Sequence, residues 1–578
     1  MAWPGITVRE FACLSLADSI LKKFEDEKSA TADEKALTKF LEANTHCGTF
    51  AKVDETLLSE LQAIAIGEAK SCYYDFWFNA DGTYWLSLDE IVRRASTGPG
   101  SSIGASGTSY YHKIASSVLT STRGSLLALF KRAAAEYHLW DEAEKIRSNH
   151  YGGVKLVPGN VLSFVPKSAD VSRTICTEPL LNMFFQKGIA SQFRERLDRR
   201  FGINLSVQPL KNQKLCAIGS VDESYGTIDL SSASDTISYG LVKSLTPPYV
   251  LAWMDETRSP VVRLPGKADP LPLHMVSSMG NDFTFPLQTI LFSSIVIGAY
   301  RALDIEPIFP RGRRLGNFGV FGDDIIVRRE AYDLVINLLG RFGFFVNTDK
   351  SFNTGPFRES CGKDYFSGHD VRGIYCQSLK GTHDVYSLIN RLNVWSANHD
   401  VPLPETVSYL TFGTGVRFLP VPVWETDTAG VKVPLWMVDR ERARRSETGA
   451  IVYKRYEVRP RTLDVLSIES RPQYYLKRYR VIYNEPGLYL AVVGGYIRDG
   501  KLILRQEKRP NYRLRDAVAP SWDIDIPAQK RGRLRVVASH TITCREEFHP
   551  GGWQRWQNHA VWFNLARVEP VVSSGKMS

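Results

Sequence analysis

Apolar residues recur at helical spacing through much of the first 150 positions. Asp26 to Phe40 is charged and periodic, Glu55 to Ala69 (ETLLSELQAIAIGEA) carries an apolar face, and Arg123 to Ile146 is rich in Leu, Ala and Glu, so each predicts a helix. Between them, Ser96 to Thr108 (STGPGSSIGASGT) reads as a flexible surface connection, although its backbone N–H groups could also face phosphate. A helix is predicted from Leu181 to Arg200, with Arg194, Arg196, Arg199 and Arg200 in its late turns. Thr227-Ile228-Asp229-Leu230 reads as a buried strand, and Ser231 to Asp235 as the turn that caps the next helix. A loop of small and polar residues, Ser277 to Asn281, leads into a helix too apolar to be exposed, which should pack under a sheet. Ala331 to Phe342 predicts an amphipathic helix and Gly343 to Lys350 a strand ending in a lysine. Leu488 to Ile497 and Leu502 to Gln506 predict further strands.

The densest signal is Asn317 to Arg328, NFGVFGDDIIVR. β-Branched and aromatic runs flank Gly322-Asp323-Asp324 and predict a tight hairpin with two adjacent carboxylates at its tip. Adjacent carboxylates repel, so a site that keeps both ionised usually holds a cation as well. Mg²⁺ is bound in this way where phosphates are handled. A solvated acidic turn is the plainer alternative. If the 227–230 strand lies beside the hairpin, Asp229 joins the pair.

Composition narrows the class. With 578 residues, 43% hydrophobic and 23% charged, the chain is an ordinary globular protein of several subdomains. Its eight cysteines include no CxxC pair and read as free thiols rather than a zinc site or a disulfide framework. No signal peptide is expected, and the longest apolar region is broken by Gln288, Ser293 and Ser294, short of a membrane span. Residues 441–578 hold 26 Lys and Arg against 14 Asp and Glu, a net of +12, whereas 1–440 holds 46 against 48. A basic segment joined to an acidic metal site fits a polyanion, nucleic acid above all. Tyr453 to Tyr456 and Tyr474 to Arg480 interleave cations with rings, as a single-stranded RNA groove would.

Six blocks carry a resemblance: VPKSADVSRTICTEPLLNMFFQKGI (165–189), TIDLSSASDTIS (227–238), SSMGN (277–281), FGDDII (321–326), NTDKSF (347–352) and GPFRESCGKDYFSGHDV (355–371). In this order they resemble the RNA-dependent RNA polymerase subunit of the single-stranded RNA bacteriophages, the leviviruses of the Qβ type. The resemblance implies an α+β, right-hand polymerase with palm, fingers and thumb, the palm built on an antiparallel sheet with packed helices. It divides the chain into an N-terminal helical region contributing to the fingers (1–160), fingers with the nucleotide-admitting segment (161–226), a catalytic palm (227–376), and thumb with a basic extension (377–578). The implied activity is primer-independent copying of single-stranded RNA by the catalytic subunit of a phage replicase, in the cytoplasm of the bacterial host. Carried over by position, Asp229, Asp323 and Asp324 hold two Mg²⁺ ions, and Lys350 protonates the departing pyrophosphate. Lys167 and Arg173 contact the triphosphate. Asp235 and Asn281 sense the ribose 2′-hydroxyl, with Ser277 beside them. Arg478, Arg480, Arg531 and Arg533 are candidate RNA contacts in the extension. The partners implied are template and product RNA, NTPs, host elongation factors Tu and Ts, and a ribosomal RNA-binding protein, with no membrane. The sequence departs from the family pattern at Phe321, where Tyr is usual, at Asp282, where Gly is common, and at Pro286, where Glu is common.

Two other readings use the same residues. A reverse transcriptase shares the fold, but the Asp235/Asn281 pair favours ribonucleotides. A non-catalytic RNA-binding scaffold has no need of Asp229, Asp323, Asp324 and Lys350 together.

Overall fold

The computed structural model describes residues 5–519, apart from 25–28, 30, 441–443, 446–450, 460–461, 465–480, 499–500 and 504–510. The architecture is α+β. At its centre β1 (Tyr225–Ile228), β2 (Gly319–Phe321) and β3 (Asp324–Arg328) form an antiparallel sheet in the order β1-β3-β2. One face of the sheet is covered by α1 (Gln208–Asp222), which touches all three strands. Val320, Ile325 and Val327 are fully buried in the main core, together with most of α2 (Thr284–Ala302). α2 is the long apolar helix expected to pack under a sheet, and it is buried over nearly its whole length. The helix Glu60–Asp75 lies against it so closely that a Cβ on Gly298 would come within 2.6 Å of the Ala65 carbonyl oxygen.

A second core joins distant parts of the chain. The first helix, Val8–Ser19, contributes Ala12 and Leu16 to a cluster with Phe366, Val371, Ile389 and Val431. The described part of the basic tail pairs Ile451–Arg459 with Asn511–Ala519 and packs Tyr453 into this same cluster.

Several local expectations change. Arg123 to Ile146 is two helices, Gly124–Ala135 and His138–Tyr151. The helix after Asp235 starts at Tyr239 and is capped by Ser238, whose hydroxyl accepts from the Leu241 N–H, so Ser231 to Asp235 form the turn but not the cap. Only Phe345–Val346 of the lysine-ended stretch pairs as a strand, and Thr348–Lys350 is a 3₁₀ turn. The segment around Leu488 is a helix, Glu485–Val493. Pro486 stands in its first turn, and the Asn484 side chain accepts from the Gly487 N–H at 3.1 Å. Of the segment near Leu502, Lys501–Ile503 is a strand. The Gly/Ser-rich loop is pinned rather than free. Gly98 O accepts from the buried Lys113 ammonium (2.5 Å), and the Ile103 N–H donates to Glu178 O (3.0 Å).

Candidate active site

The hairpin closes between Phe321 and Asp324, which pair across it, leaving Gly322 and Asp323 as the loop. Gly322 sits at φ +60°, and a Cβ there would lie 2.3 Å from Phe285 Cε2. Its N–H donates to Thr289 Oγ1 of α2 at 3.1 Å. Left-handed backbone and a ring pressed on the turn both exclude a side chain. Gly322→Ala is therefore expected to cost about 1–3 kcal/mol of stability. Chemical denaturation of both proteins checks this, and an unchanged midpoint would show that the turn relaxes freely.

The third carboxylate arrives by register. Ile228 pairs with Ile325, so Asp229, one residue beyond β1, stands beside Asp324 at the start of β3. Each is held by a neighbour. Asn347 Nδ2 donates to Asp229 Oδ2 (2.9 Å), and the Asp229 N–H donates to Ser351 Oγ (3.1 Å). Asp324 Oδ1 accepts from the Cys361 N–H (2.9 Å) and the Ser360 hydroxyl (3.3 Å). Asp323, at the tip, is pushed up to about 6, first by burial and then by the charges of Asp324 and Asp229, with Arg173 opposing. Asp229 is also raised by burial, against the Asn347 hydrogen bond and the charge of Lys350. Hard oxygen donors that repel one another suit a divalent cation such as Mg²⁺. Among the described residues no three His, Cys, Asp or Glu side chains are gathered closely enough to enclose an ion. This agrees with Asp324 being drawn to Cys361 and Asp229 to Asn347.

Cations border this site. Lys167 and Arg173 flank the turn joining strands Asn160–Pro166 and Ser172–Thr177, where the Lys167 N–H donates to Val171 O (2.8 Å) and Arg173 pairs with Val165. The Lys167 ammonium is pushed down by burial and then by Arg173, Lys350 and Lys23, and Asp229 acts the other way. The turn, Lys350 and the aspartates thus share one electrostatic field.

Of the remaining candidates, Asp235 lies on the turn after the 225–231 strands, and Ser277 and Asn281 lie on the loop before α2. Asp235 is raised by burial and accepts from the Ser278 hydroxyl at 3.0 Å. Ser277 contacts Thr284 through their hydroxyls. Asn281 Oδ1 accepts from the Phe283 N–H (3.0 Å), while its buried Nδ2 has no partner among the described residues. Gly280, at φ +128°, seats the loop on the strand that carries Arg173, because a Cβ there would lie 2.0 Å from Cys176 O. Arg478, Arg480, Arg531 and Arg533 lie outside the described residues. Sequence reasoning missed Asn347, Ser351, Ser360 and Cys361, which position the aspartates. Their only signal was membership of the NTDKSF and GPFRESC blocks.

Residues 6–412 match the family described as RNA replicase, beta-chain. The RNA-directed RNA polymerase beta chain of Enterobacteria phage fr is 33% identical over 408 residues, which is 67% of this chain and 69% of that one. The corresponding chain of Escherichia phage MS2 is 39% identical over 253 residues, 43% of this chain and 44% of that one. The RNA-directed RNA polymerase subunit beta of Escherichia virus Qbeta is 38% identical over 240 residues, 41% of this chain and 39% of that one, so these two matches span less than half the relatives' length. The RNA-dependent RNA polymerase of a human picobirnavirus overlaps in structure with a TM-score of 0.42 and 12% identity, covering 71% of this chain and 83% of that one. The class is that of the RNA-directed RNA polymerases. Within it, the chain belongs to the RNA replicase beta-chain family of the RNA phages. The resemblance read from six blocks is borne out, and the family match reaches well beyond them, to residue 412.

Proposed function

We propose that this chain is the catalytic subunit of a replicase that copies single-stranded RNA without a primer, using Asp229, Asp323 and Asp324 to bind two Mg²⁺ ions. The observation that carries this reading is the antiparallel register that sets Asp229 beside Asp324, with Asp323 one residue away at the hairpin tip. Bound Mg²⁺ would supply positive charge for the attacking 3′-hydroxyl and the leaving pyrophosphate. The chain's own residues do the rest by position and charge. Lys167 and Arg173 receive the triphosphate, with Arg173 able to grip it in bidentate fashion. Lys350 gives a proton to the departing pyrophosphate, a transfer typically worth ~10²–10⁴-fold. Asp235 and Asn281 read the ribose, with Ser277 beside them, and 227–376 serves as the palm. The unpartnered Asn281 Nδ2 supports this, because a buried donor without an acceptor favours a ligand oxygen.

Asn281→Ala should therefore lower the preference for NTP over dNTP by about 10-fold or more. An unchanged ratio of kcat/KM values would remove the role. The defining experiment is Mg²⁺-dependent incorporation of labelled GTP on a C-ended RNA, with and without elongation factors Tu and Ts and a ribosomal RNA-binding protein. Synthesis only with the factors supports a host-assisted complex in the bacterial cytoplasm. Synthesis without them keeps the chemistry and removes those partners. RNA binding with no synthesis in any mixture would favour a non-catalytic scaffold.

A further inference from the structure

Described residues on either side of 25–28 contact two regions that flank the site. At one end the Cys376 N–H donates to Ile20 O (2.7 Å) and the Gly373 N–H to Ser15 Oγ (3.2 Å). At the other end the Ser29 N–H donates to Ala169 O (3.0 Å), inside the turn between Lys167 and Arg173. Lys23 lies just beyond the first of these contacts, its Nζ 4.0 Å from the centroid of the Tyr375 ring. Arg372 donates to the Tyr375 hydroxyl (3.1 Å), and Arg391, from the helix Thr382–His399, donates to Tyr375 O (2.8 Å). Three cations from three separate stretches of chain thus converge on one tyrosine.

Their charge is only partly answered. Arg372 pairs with Asp364 (2.8 Å) and faces Glu359 at 4.0 Å, and the neighbouring Lys22 reaches Asp18. Among the described residues, neither Lys23 nor Arg391 is joined to a carboxylate. A ring face stabilises a cation without offering an oxygen acceptor, so the Lys23 ammonium keeps N–H groups for a ligand. Burial and then the charges of Arg372, Arg173, Arg391 and Lys22 push the Lys23 ammonium down, and Lys167 feels Lys23 in turn. Lys23 thus lies within electrostatic reach of both Arg372 and Arg391 on one side and Lys167 and Arg173 on the other.

We propose that Lys23, Arg372 and Arg391, gathered on Tyr375, form an outer phosphate station that captures the triphosphate of a nucleoside triphosphate before it reaches Lys167 and Arg173. The inference rests on the polymerase reading above and extends it to three residues with no role there. A compact group of three cations around one tyrosine, two at its ring and one at its carbonyl, fits a triphosphate. An RNA strand would call for stations repeated along a groove.

The test uses the full chain with Lys23→Met and Arg391→Gln combined, beside Lys23→Arg. Lys23→Met keeps a straight apolar stem over the ring. The double variant should raise KM for each NTP about 5–20-fold with kcat within about twofold, because a contact made only on the way to the site sets capture, and so KM, and leaves the chemical step alone. Lys23→Arg should stay near wild type, and RNA affinity and its salt slope should not move. If thermal melting shows the double variant unfolded, Lys23→Met alone carries the same expectation at about 3-fold. An unchanged KM in a folded variant overturns the station. So does weakened RNA binding with a flatter salt slope and an unchanged KM, which would make these residues RNA contacts. GTP binding is measured in parallel. If the wild-type chain synthesises nothing with or without the host factors but binds GTP more tightly than the variant, the polymerase reading fails and the station stands.

Discussion

Asp323→Asn should end RNA synthesis, by at least about 10³-fold, while template binding stays near wild type. The side chain occupies the hairpin tip, one residue from Asp324 and in the field of Asp229. Asn keeps its size and removes the charge that a divalent cation would meet. The same substitution should raise stability. Burial and like-charge repulsion lift the Asp323 carboxyl from its ordinary 3.8 to about 6, so the folded state favours the protonated form. A folded-state value above the unfolded one gives a contribution fully present below the unfolded value and lost as pH rises through the folded one. Without divalent cations at pH 8, the ionised carboxylate should thus cost about 1–3 kcal/mol, and Asn should recover it. At pH 4 the gain should largely vanish. Urea unfolding in EDTA at both pH values, beside GTP incorporation in Mg²⁺, reads the two effects together. A variant that loses stability at pH 8 would show that Asp323 holds the fold rather than serving the chemistry.

Arg358→Met should be among the most destabilising single changes, by about 3–5 kcal/mol. The guanidinium is fully buried and acts as a hub for backbone. It donates to the carbonyls of Tyr225 (2.7 Å), Asn353 (2.9 Å), Thr354 (3.2 Å), Gly355 (2.8 Å) and Phe357 (2.7 Å). Met fills much of the space and leaves those oxygens unpaired in a dry interior. Lys has one point of donation and cannot span the set, so Arg358→Lys should recover only part of the loss. Activity should fall further than stability accounts for, because Ser360 and Cys361, which hold Asp324, follow two and three residues later. Denaturant midpoints and GTP incorporation for both variants check this. A loss below about 1 kcal/mol for Met would show that water reaches these carbonyls.

Much of the site was legible in the sequence because it is written in short contiguous blocks. A Gly-Asp turn between β-branched runs has few alternatives to a hairpin, and the hairpin is there. A run as apolar as Leu287 to Tyr300 has nowhere to go but a core, and α2 is buried there. The later segment around Leu488 misled because a short apolar run with β-branched and aromatic residues fits a helix packed on one side as readily as a strand. Asn484 decides it, donating to the carbonyls of Ala115 (3.1 Å) and Ala143 (2.8 Å) from far along the chain. The Gly/Ser-rich loop misled for the same reason, since its restraint comes from Lys113, a cation that local pattern places at the surface.

By itself the sequence determined most of the elements around the site, the two acidic stretches and the family to which they belong, all of which depend on residues close together in the chain. Only the tertiary structure decided which distant groups share a field. It set Asp229 beside Asp324 through strand register, turned Asn347 and Cys361 onto those carboxylates, and brought Lys23, Arg372 and Arg391 to one tyrosine. Such meetings are fixed by packing and by the pairing of buried polar groups across long separations, and hydrophobic periodicity carries no record of them.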